Sequence, residues 1–456
     1  MPSQKPIIIY VDDNHDDLTA FQINFNRSVL SGFYDLRCYD DPKNGLTDLV
    51  IDGAALILTD YNFKGLEHNP GEKALNLIER VRRYDPFLPV ICLTGNNNTD
   101  VMKEVMIAGA HDFVPKSDNF DNLLTEVLEP FLRPVYPYPI GRPIVMIKVG
   151  GSIQDAELPL PQKYRGIDNI VASALRLQRE GYQVIFSVGA GPLGDILKQR
   201  RDLARIINGE DSEFDKTEFE REFPYEIKRA LDSNAKYVQR RLRARKKDPA
   251  CFIFRPESLK SLRLLDTALL DGQIIITTTA PRAITLPKNP DDPSAGEVLS
   301  ESDYQTLKLA QYFGTNRILI AKDTPGIFRF DPLRGYNPNA MNPNVGWRRA
   351  QRANEYLARV NATDLLNQTI SRIGTDNRGG HLWEDAALRA MLETDIEVCV
   401  VCPEYRHFAP QGKPILPEIT FPPNVSNQDY LYQSIIEAIN RANHPSAPRV
   451  SRILPR

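Results

Sequence analysis

Long hydrophobic runs are missing from this chain. No apolar stretch approaches the roughly 20 residues that a membrane-spanning helix needs, and the start, MPSQKPIIIYVDDN, passes from polar residues into a short apolar run ending in acids. Neither a signal peptide nor an anchor is expected, and no membrane partner. Charge of one sign is missing too: 56 basic residues stand against 59 acidic ones among 456. No global field therefore recommends nucleic acid or an anionic surface as a partner. Cysteine is scarce, five scattered residues, which excludes a disulfide framework and fits a reducing, cytoplasmic compartment. The pair Cys399 and Cys402 lies in DIEVCVVCP, which reads as a buried strand that sends the two thiols to opposite faces, not as a redox or zinc site. No internal repeat is found.

What the chain does have is two successive α/β patterns. From residue 7 to about 133, the runs IIIYV, YDLRCY, AALILTD, LPVICLTG and HDFVPK read as five strands. They alternate with amphipathic segments such as 74–83 and 98–110, and DNLLTEVLEPFLR closes the set, the sign of βα units building a parallel sheet. PVYPYPIGRP, residues 134–143, carries four prolines and reads as a stiff linker. A second α/β pattern over 144–443 starts with IVMIKVGGS and continues through NIVASALRLQREG, YQVIFSVGAG, QIIITTTA, RILIAKDTPGIF and IEVCVVCP. Three stretches, 208–222, 286–297 and 336–346, read as surface insertions or lids, and 444–456 as a flexible tail. The basic run YVQRRLRARKK (237–247) has six Arg or Lys in its last eight residues. It reads first as a solvated helix face or oligomer contact and second as an anion or nucleic-acid patch.

In the first pattern, chemistry gathers at strand ends. Asp12 and Asp13 end the first strand, Asp60 the third, Thr94 the fourth and Lys116 the fifth. A doubly wound parallel sheet brings these ends to one edge, where such folds hold ligands. Three converging carboxylates repel unless a cation joins them, and hard oxygen ligands suit Mg²⁺. One carboxylate can then attack a phosphoryl group while a hydroxyl and an ammonium bind its oxygens. The segments VDDN, LILTDYN, ICLTG and AGAHDFVPKS resemble the motifs of response-regulator receiver domains. The resemblance implies a flavodoxin-like five-stranded fold over 1–133, Asp60 as phosphoacceptor and Asp12, Asp13 and Asp60 around the metal. It also implies Thr94 and Lys116 as phosphate contacts, Phe113 as an aromatic switch, and a histidine kinase or other phosphodonor as partner. Ser117 after the lysine and the long FKGLEHNPGEK loop depart from the common pattern.

In the second pattern, Lys148 lies in a strand that runs into Gly150 and Gly151, so backbone amides can approach an anion beside a point charge. Gly189-Ala190-Gly191 ends another strand ahead of a helix-like stretch, again suited to phosphate oxygens. Asp323 ends a third strand before a Pro-Gly turn, where a carboxylate orients the lysine or holds Mg²⁺. Together these segments resemble the amino acid kinase superfamily, and GAG, FRFDP and NATDLLNQ…WEDAALRAML look closest to uridylate kinases and molybdenum storage proteins. The resemblance implies a three-layer α/β/α domain that binds ATP with Mg²⁺. Lys148 stabilises the transferring phosphoryl group, Gly150, Gly151, Gly189 and Gly191 hold phosphates, Asp323 and Gly326 lie in a segment that organises the lysine and leads into the nucleotide site, and Phe330, Asp331 and Pro332 lie near the nucleotide. Asp303, in SESDYQTLKLAQYFG, matches an acidic position beside substrate and nucleotide, and reads equally as a helix cap. The first functional reading is a receiver-regulated phosphotransferase acting on a small-molecule acceptor. The second is an ATP-binding store or sensor for molybdenum or tungsten oxoanions, which the altered acceptor segment TTTAPRAITLPKNPDDPSAGE favours. A homo-oligomer, dimer or hexamer, is implied by the same resemblance.

Overall fold

The computed structural model describes residues 5–42, 54–63, 72–85, 87–95, 99–116, 142–150, 160–191, 213–245, 250–256, 259–279, 285–287, 297–299, 302–322, 327–328, 356–357, 359–366, 385–403, 426–440 and 451–455. The chain forms two compact units. One comprises Met1–Pro139 with Arg255–Asp266 and Ile284–Leu286, the other Ile140–Phe254 with Thr267–Ala283 and Pro287–Arg456.

The first unit runs β1 (Ile7–Val11), α1 (His15–Arg27), β2 (Asp35–Tyr39), β3 (Ala54–Asp60), α2 (Glu72–Tyr84), β4 (Val90–Thr94), α3 (Thr99–Ala108) and β5 (Asp112–Pro115). Its strands pair in parallel in the order β2-β1-β3-β4-β5. These are the five strands read from the β-branched runs. Strands covered on both faces need continuous apolar runs rather than alternation, and β1 and β4 are buried at every position. Helix α1 starts where Asn14 caps it, its side chain accepting from the Asp16 amide; Leu18, Phe21 and Phe25, at helical spacing, are the face it buries. The closing helix expected over 121–133 lies outside the described residues.

The chain continues with β6 (Ile144–Val149), α4 (Leu160–Arg179), β7 (Gln183–Val188), α5 (Glu213–Arg245), β8 (Cys251–Phe254), α6 (Leu259–Leu270), most of which belongs to the first unit, and β9 (Ile274–Thr278). A two-stranded pair follows, β10 (Thr285–Pro287) and β11 (Glu297–Leu299), then α7 (Ser302–Tyr312), β12 (Arg317–Ala321), β13 (Ile327–Phe328), β14 (Tyr356–Leu357) and β15 (Arg359–Asn361). The last elements are α8 (Ala362–Leu366), α9 (Asp385–Met391), β16 (Glu397–Val401), α10 (Asn427–Asn440) and β17 (Ser451–Leu454). The main sheet has the order β15-β17-β16-β12-β6-β7-β9-β8, parallel from β16 through β8. Alternation along each strand sorts its residues between two helical layers. Val145, Ile147 and Val149 of β6, with Val184, Phe186 and Val188 of β7, pack under α4, α5 and α10 in one core. The intervening residues, among them Lys148 and Ser187, face the other layer, where α7 lies: Ser187 and Thr306 of α7 are hydrogen-bonded at 2.7 Å.

Three sequence expectations need correction. The supposedly flexible tail supplies β17, antiparallel to β16 and parallel to β15, with Ile453 fully buried. It is held because Glu397 accepts from Arg452 at 3.3 Å and from Arg317 at 3.2 Å; one buried carboxylate bonded to both guanidinium groups ties β17 to β16 and β12. The acidic stretch 208–222, read as an insertion, enters helix α5 at Glu213, because its Glu, Lys and Arg residues are good helix formers despite their polarity. Residues 237–245 of the basic run continue that helix, in keeping with its first reading as a helix face: Val238 and Leu242 are buried, and Arg241 makes a bidentate contact with Asp168, 2.6 and 2.5 Å from its Nη2. Of the proline-rich 286–297, the ends pair as β10 and β11. Cys399 and Cys402 are buried thiols.

Candidate functional site

The first unit places its strand ends on one edge. In register, Val11 lies beside Thr59, Asp60 beside Leu93, and Thr94 beside Pro115, so the residues just past those positions converge. Asp12, Asp13 and Asp60 each offer a carboxylate oxygen within 4.8 Å of the others, the one such group among the described residues. Asp12 and Asp60 are buried, 0% and 3% exposed. Lys116 answers the charge: its Nζ donates to Asp12 Oδ2 at 2.7 Å, Asp17 Oδ2 at 2.9 Å and Asp60 Oδ1 at 2.8 Å. Three ammonium protons thus meet three carboxylates. Thr94 is buried, and its carbonyl accepts from the Lys116 amide at 2.7 Å. Phe113, opposite Cys92 in β4, is half-buried against the apolar core.

These surroundings set the ionisation of the pocket. Burial foremost raises the Asp60 carboxyl to about 6; the Lys116 hydrogen bond and charge and the Asn62 amide oppose this, while Asp12 adds to it. For Lys116 burial is the largest influence and lowers its pKa, but the bonds from Asp12, Asp60 and Asp17 outweigh it and the group ends above its ordinary value. Each partner therefore holds the other, and the protonated lysine is the settled part of the arrangement. The donor set suits a hard divalent cation: three oxygens, close enough for one ion.

Two residues of this pocket escaped the sequence reading. Asp17, in the first turn of α1, is the third partner of Lys116; its signal is its place four residues after Asp13, on a helix turn leading back over the strand ends. Tyr10, inside β1 and fully buried, donates its hydroxyl to Asp12 Oδ2 at 2.5 Å. Burial first, then Asp12, raise its pKa and keep it a donor. Nothing in an apolar strand run marks one tyrosine as polar in function. Directly after Asp60, Tyr61 donates to Glu104 of α3 at 3.0 Å, which ties the neighbour of the predicted phosphoacceptor to that helix.

In the second unit, Lys148 of β6 and Asp303 in the first turn of α7 form a buried ion pair. Asp303 was read both as a cap and as a site residue; the pair with Lys148 joins it to the lysine, the role assigned by sequence to Asp323. Around the pair, close approach dictates glycine. A side-chain carbon at Gly150 would lie 2.7 Å from the Ala321 carbonyl oxygen, to which the Gly150 amide already donates at 3.1 Å. One at Gly189 would lie 3.0 Å from the Ser302 Cβ, so the turn after β7 sits against the start of α7. Gly191 takes φ +65°, a left-handed conformation costly to other residues. Asn234 of α5 donates to the Gly189 carbonyl at 2.9 Å, and the stem of Lys322, just past β12, lies near Gly150. Lys148, the N-terminus of α7, Gly150 and Gly189 thus meet at these strand ends, and helix N-termini and close backbone amides are groups that can take an anion. Gly151, Asp323, Gly326, Phe330, Asp331 and Pro332 lie outside the described residues.

A family model of the response regulator receiver domain matches residues 8–128. The amino acid kinase family model matches residues 143–402, more than half of the chain. The chain belongs to the amino acid kinase family. Its receiver domain precedes the kinase-family domain, and Lys148, Gly150, Gly189 and Asp303 all lie within the matched span of the latter. The receiver is 27% identical over 122 residues to the C4-dicarboxylate transport transcriptional regulatory protein DctD of Rhizobium meliloti, 27% of this chain and 24% of that protein. The chain thus spans about a quarter of the length of that relative. Among solved structures, a CheY-like receiver domain protein from Methanospirillum hungatei is similar over 28% of this chain and 94% of its own, with 22% identity and a TM-score of 0.24. UMP kinase from Bacillus anthracis is similar over 57% of this chain and 88% of its own, with 15% identity and a TM-score of 0.36. Among the described residues, no helix is long and apolar enough to cross a membrane.

Proposed function

We propose that the chain is an ATP-dependent phosphotransferase whose activity responds to phosphorylation of Asp60. The observation that carries the kinase reading is the buried Lys148–Asp303 pair beside Gly150 and Gly189. Asp303 holds the ammonium at the end of β6, and the glycine turns offer amides for phosphate oxygens. Lys148 then neutralises charge on the transferring γ-phosphoryl group as its bond to the β-phosphate breaks and a bond to the acceptor oxygen forms. Such transfers depend on positioning and electrostatics more than on covalent help from the protein.

In the receiver, an Asp60 oxygen attacks the phosphorus of a donor; the new O–P bond forms as the donor leaves with the electrons of its own bond to phosphorus. Asp12, Asp13 and Asp60 would hold Mg²⁺, which would supply neutralising charge for the incoming group. Lys116, already bonded to the Asp60 oxygen, moves with the phosphoryl group that replaces this contact, and Thr94 offers a hydroxyl at the same edge. The Tyr61–Glu104 bond gives this local change a route to α3.

ATP consumption is measured with the purified full chain against UMP, other phosphate monoesters, carboxylates and molybdate. The expected result is turnover with one acceptor class that Lys148→Ala abolishes. Undiminished ATP binding with no acceptor-dependent consumption anywhere in the panel overturns the kinase reading.

A further inference from the structure

We propose that Tyr10 is a positioning residue of the receiver site: its buried hydroxyl fixes the rotation of the Asp12 carboxylate and so sets the affinity of the acidic group for a divalent cation. The proposal rests on the receiver reading given above and goes beyond it, since Tyr10 touches neither metal nor phosphoryl group in that reading.

The argument is one of lone pairs. A carboxylate oxygen accepts about two hydrogen bonds. Asp12 Oδ2 takes Tyr10 Oη at 2.5 Å and Lys116 Nζ at 2.7 Å. Oδ1 accepts the Asn14 amide at 2.9 Å, which leaves it the oxygen with capacity for a cation. Without the phenol, the carboxylate has one anchor on Oδ2, and that anchor is Lys116, whose ammonium Asp17 and Asp60 also share. A cation entering beside Asp12 repels the ammonium. Tyr10 is the neutral contact on Oδ2 that persists as the ammonium moves, and so keeps Oδ1 turned to the metal. The phenol is itself fixed by the strand: Tyr10 lies within β1, fully buried, and Phe21 of α1 only covers its ring, with centroids 4.8 Å apart. Partners that orient metal-binding groups typically contribute 10–100-fold in affinity.

Calorimetric titration of the full chain with MgCl₂, without nucleotide, tests this. Asp12→Asn identifies the receiver's share of the heat. Tyr10→Phe, which removes one oxygen and keeps the ring, is expected to weaken Mg²⁺ roughly tenfold, the low end of that range. In the Asp12→Asn background the same substitution is expected to change nothing further. Phe21→Leu, which loosens the ring packing but keeps the hydroxyl, is expected to hold the wild-type affinity within about twofold on the same scale. Equal Mg²⁺ affinity in wild type and Tyr10→Phe overturns the proposal, as does a loss in Phe21→Leu as large as that in Tyr10→Phe, because packing would then account for the effect. A wild-type titration with no heat that depends on Asp12 overturns the receiver-site reading itself, a different result.

Discussion

Replacing Lys116 by methionine keeps the apolar stem and removes the ammonium that three carboxylates share. Asp12 and Asp60 are nearly inaccessible to water, with side chains 0% and 5% exposed, whereas Asp17 at 29% can turn outward. Removing one partner of a buried ion pair typically costs about 3–5 kcal/mol. The outward path for Asp17 and water at the pocket mouth place the expected loss near the lower end, about 3 kcal/mol in metal-free protein at pH 8. That corresponds to amide exchange faster by on the order of 100-fold in β1 and β3, where exchange reports opening of the unit. Mg²⁺ replaces the missing positive charge, and at about a hundred times its dissociation constant it returns about 2.7 kcal/mol. Hydrogen exchange with mass spectrometry on the full chain, in EDTA and in Mg²⁺, reads both effects. Unchanged exchange in EDTA would refute the claim that Lys116 balances the pocket, and a loss that Mg²⁺ leaves uncorrected would refute the claim that the same carboxylates hold the metal.

Asp60 imposes a pH dependence of definite sign on the metal-free receiver. Its carboxyl is raised from 3.8 to about 6 in the folded chain, so the folded state holds the proton more tightly; that contribution is fully present below about pH 4 and is lost as pH rises through 6. About two units at ~1.4 kcal/mol each make the loss about 3 kcal/mol by pH 8, and Asp60→Asn in EDTA is expected to be more stable than wild type at pH 8 by up to this amount, with no gain near pH 4, as read by denaturant unfolding of the receiver. Gly150→Ala drives a methyl group to 2.7 Å from the Ala321 carbonyl oxygen and is expected to destabilise the second unit by about 1–3 kcal/mol; ATP affinity, measured by calorimetry, falls with it, and wild-type stability and affinity together would show that β6 and β12 separate at no cost.

The five strands of the receiver and most of the strands of the kinase-family sheet were legible because parallel sheets buried on both faces demand continuous β-branched runs, and IIIYV, AALILTD, VICLT and QIIITT have them. The acids of the first pocket were legible for a related reason: a polar residue that ends such a run lies at the ligand edge of the sheet. Tyr10 and Asp17 were not, since one sits inside an apolar run and the other among several acids of a helix start. Asp303 was found but left between two roles, and only the fold, by placing α7 over β6, joins it to Lys148. The C-terminal strand was misread because its order comes from a distant partner: Arg452 has reason to be inside only once Glu397 and Arg317 are beside it.

The central claim, that phosphorylation of Asp60 governs ATP use through Lys148, meets its most direct test in one assay. ATP consumption by the full chain with its acceptor is followed with and without acetyl phosphate and Mg²⁺, in wild type, Asp60→Asn and Lys148→Ala. The account predicts a rate that changes with acetyl phosphate in wild type, does not change in Asp60→Asn, and is absent in Lys148→Ala. A rate in Lys148→Ala equal to wild type, or a wild-type rate indifferent to phosphorylation of Asp60, would contradict it.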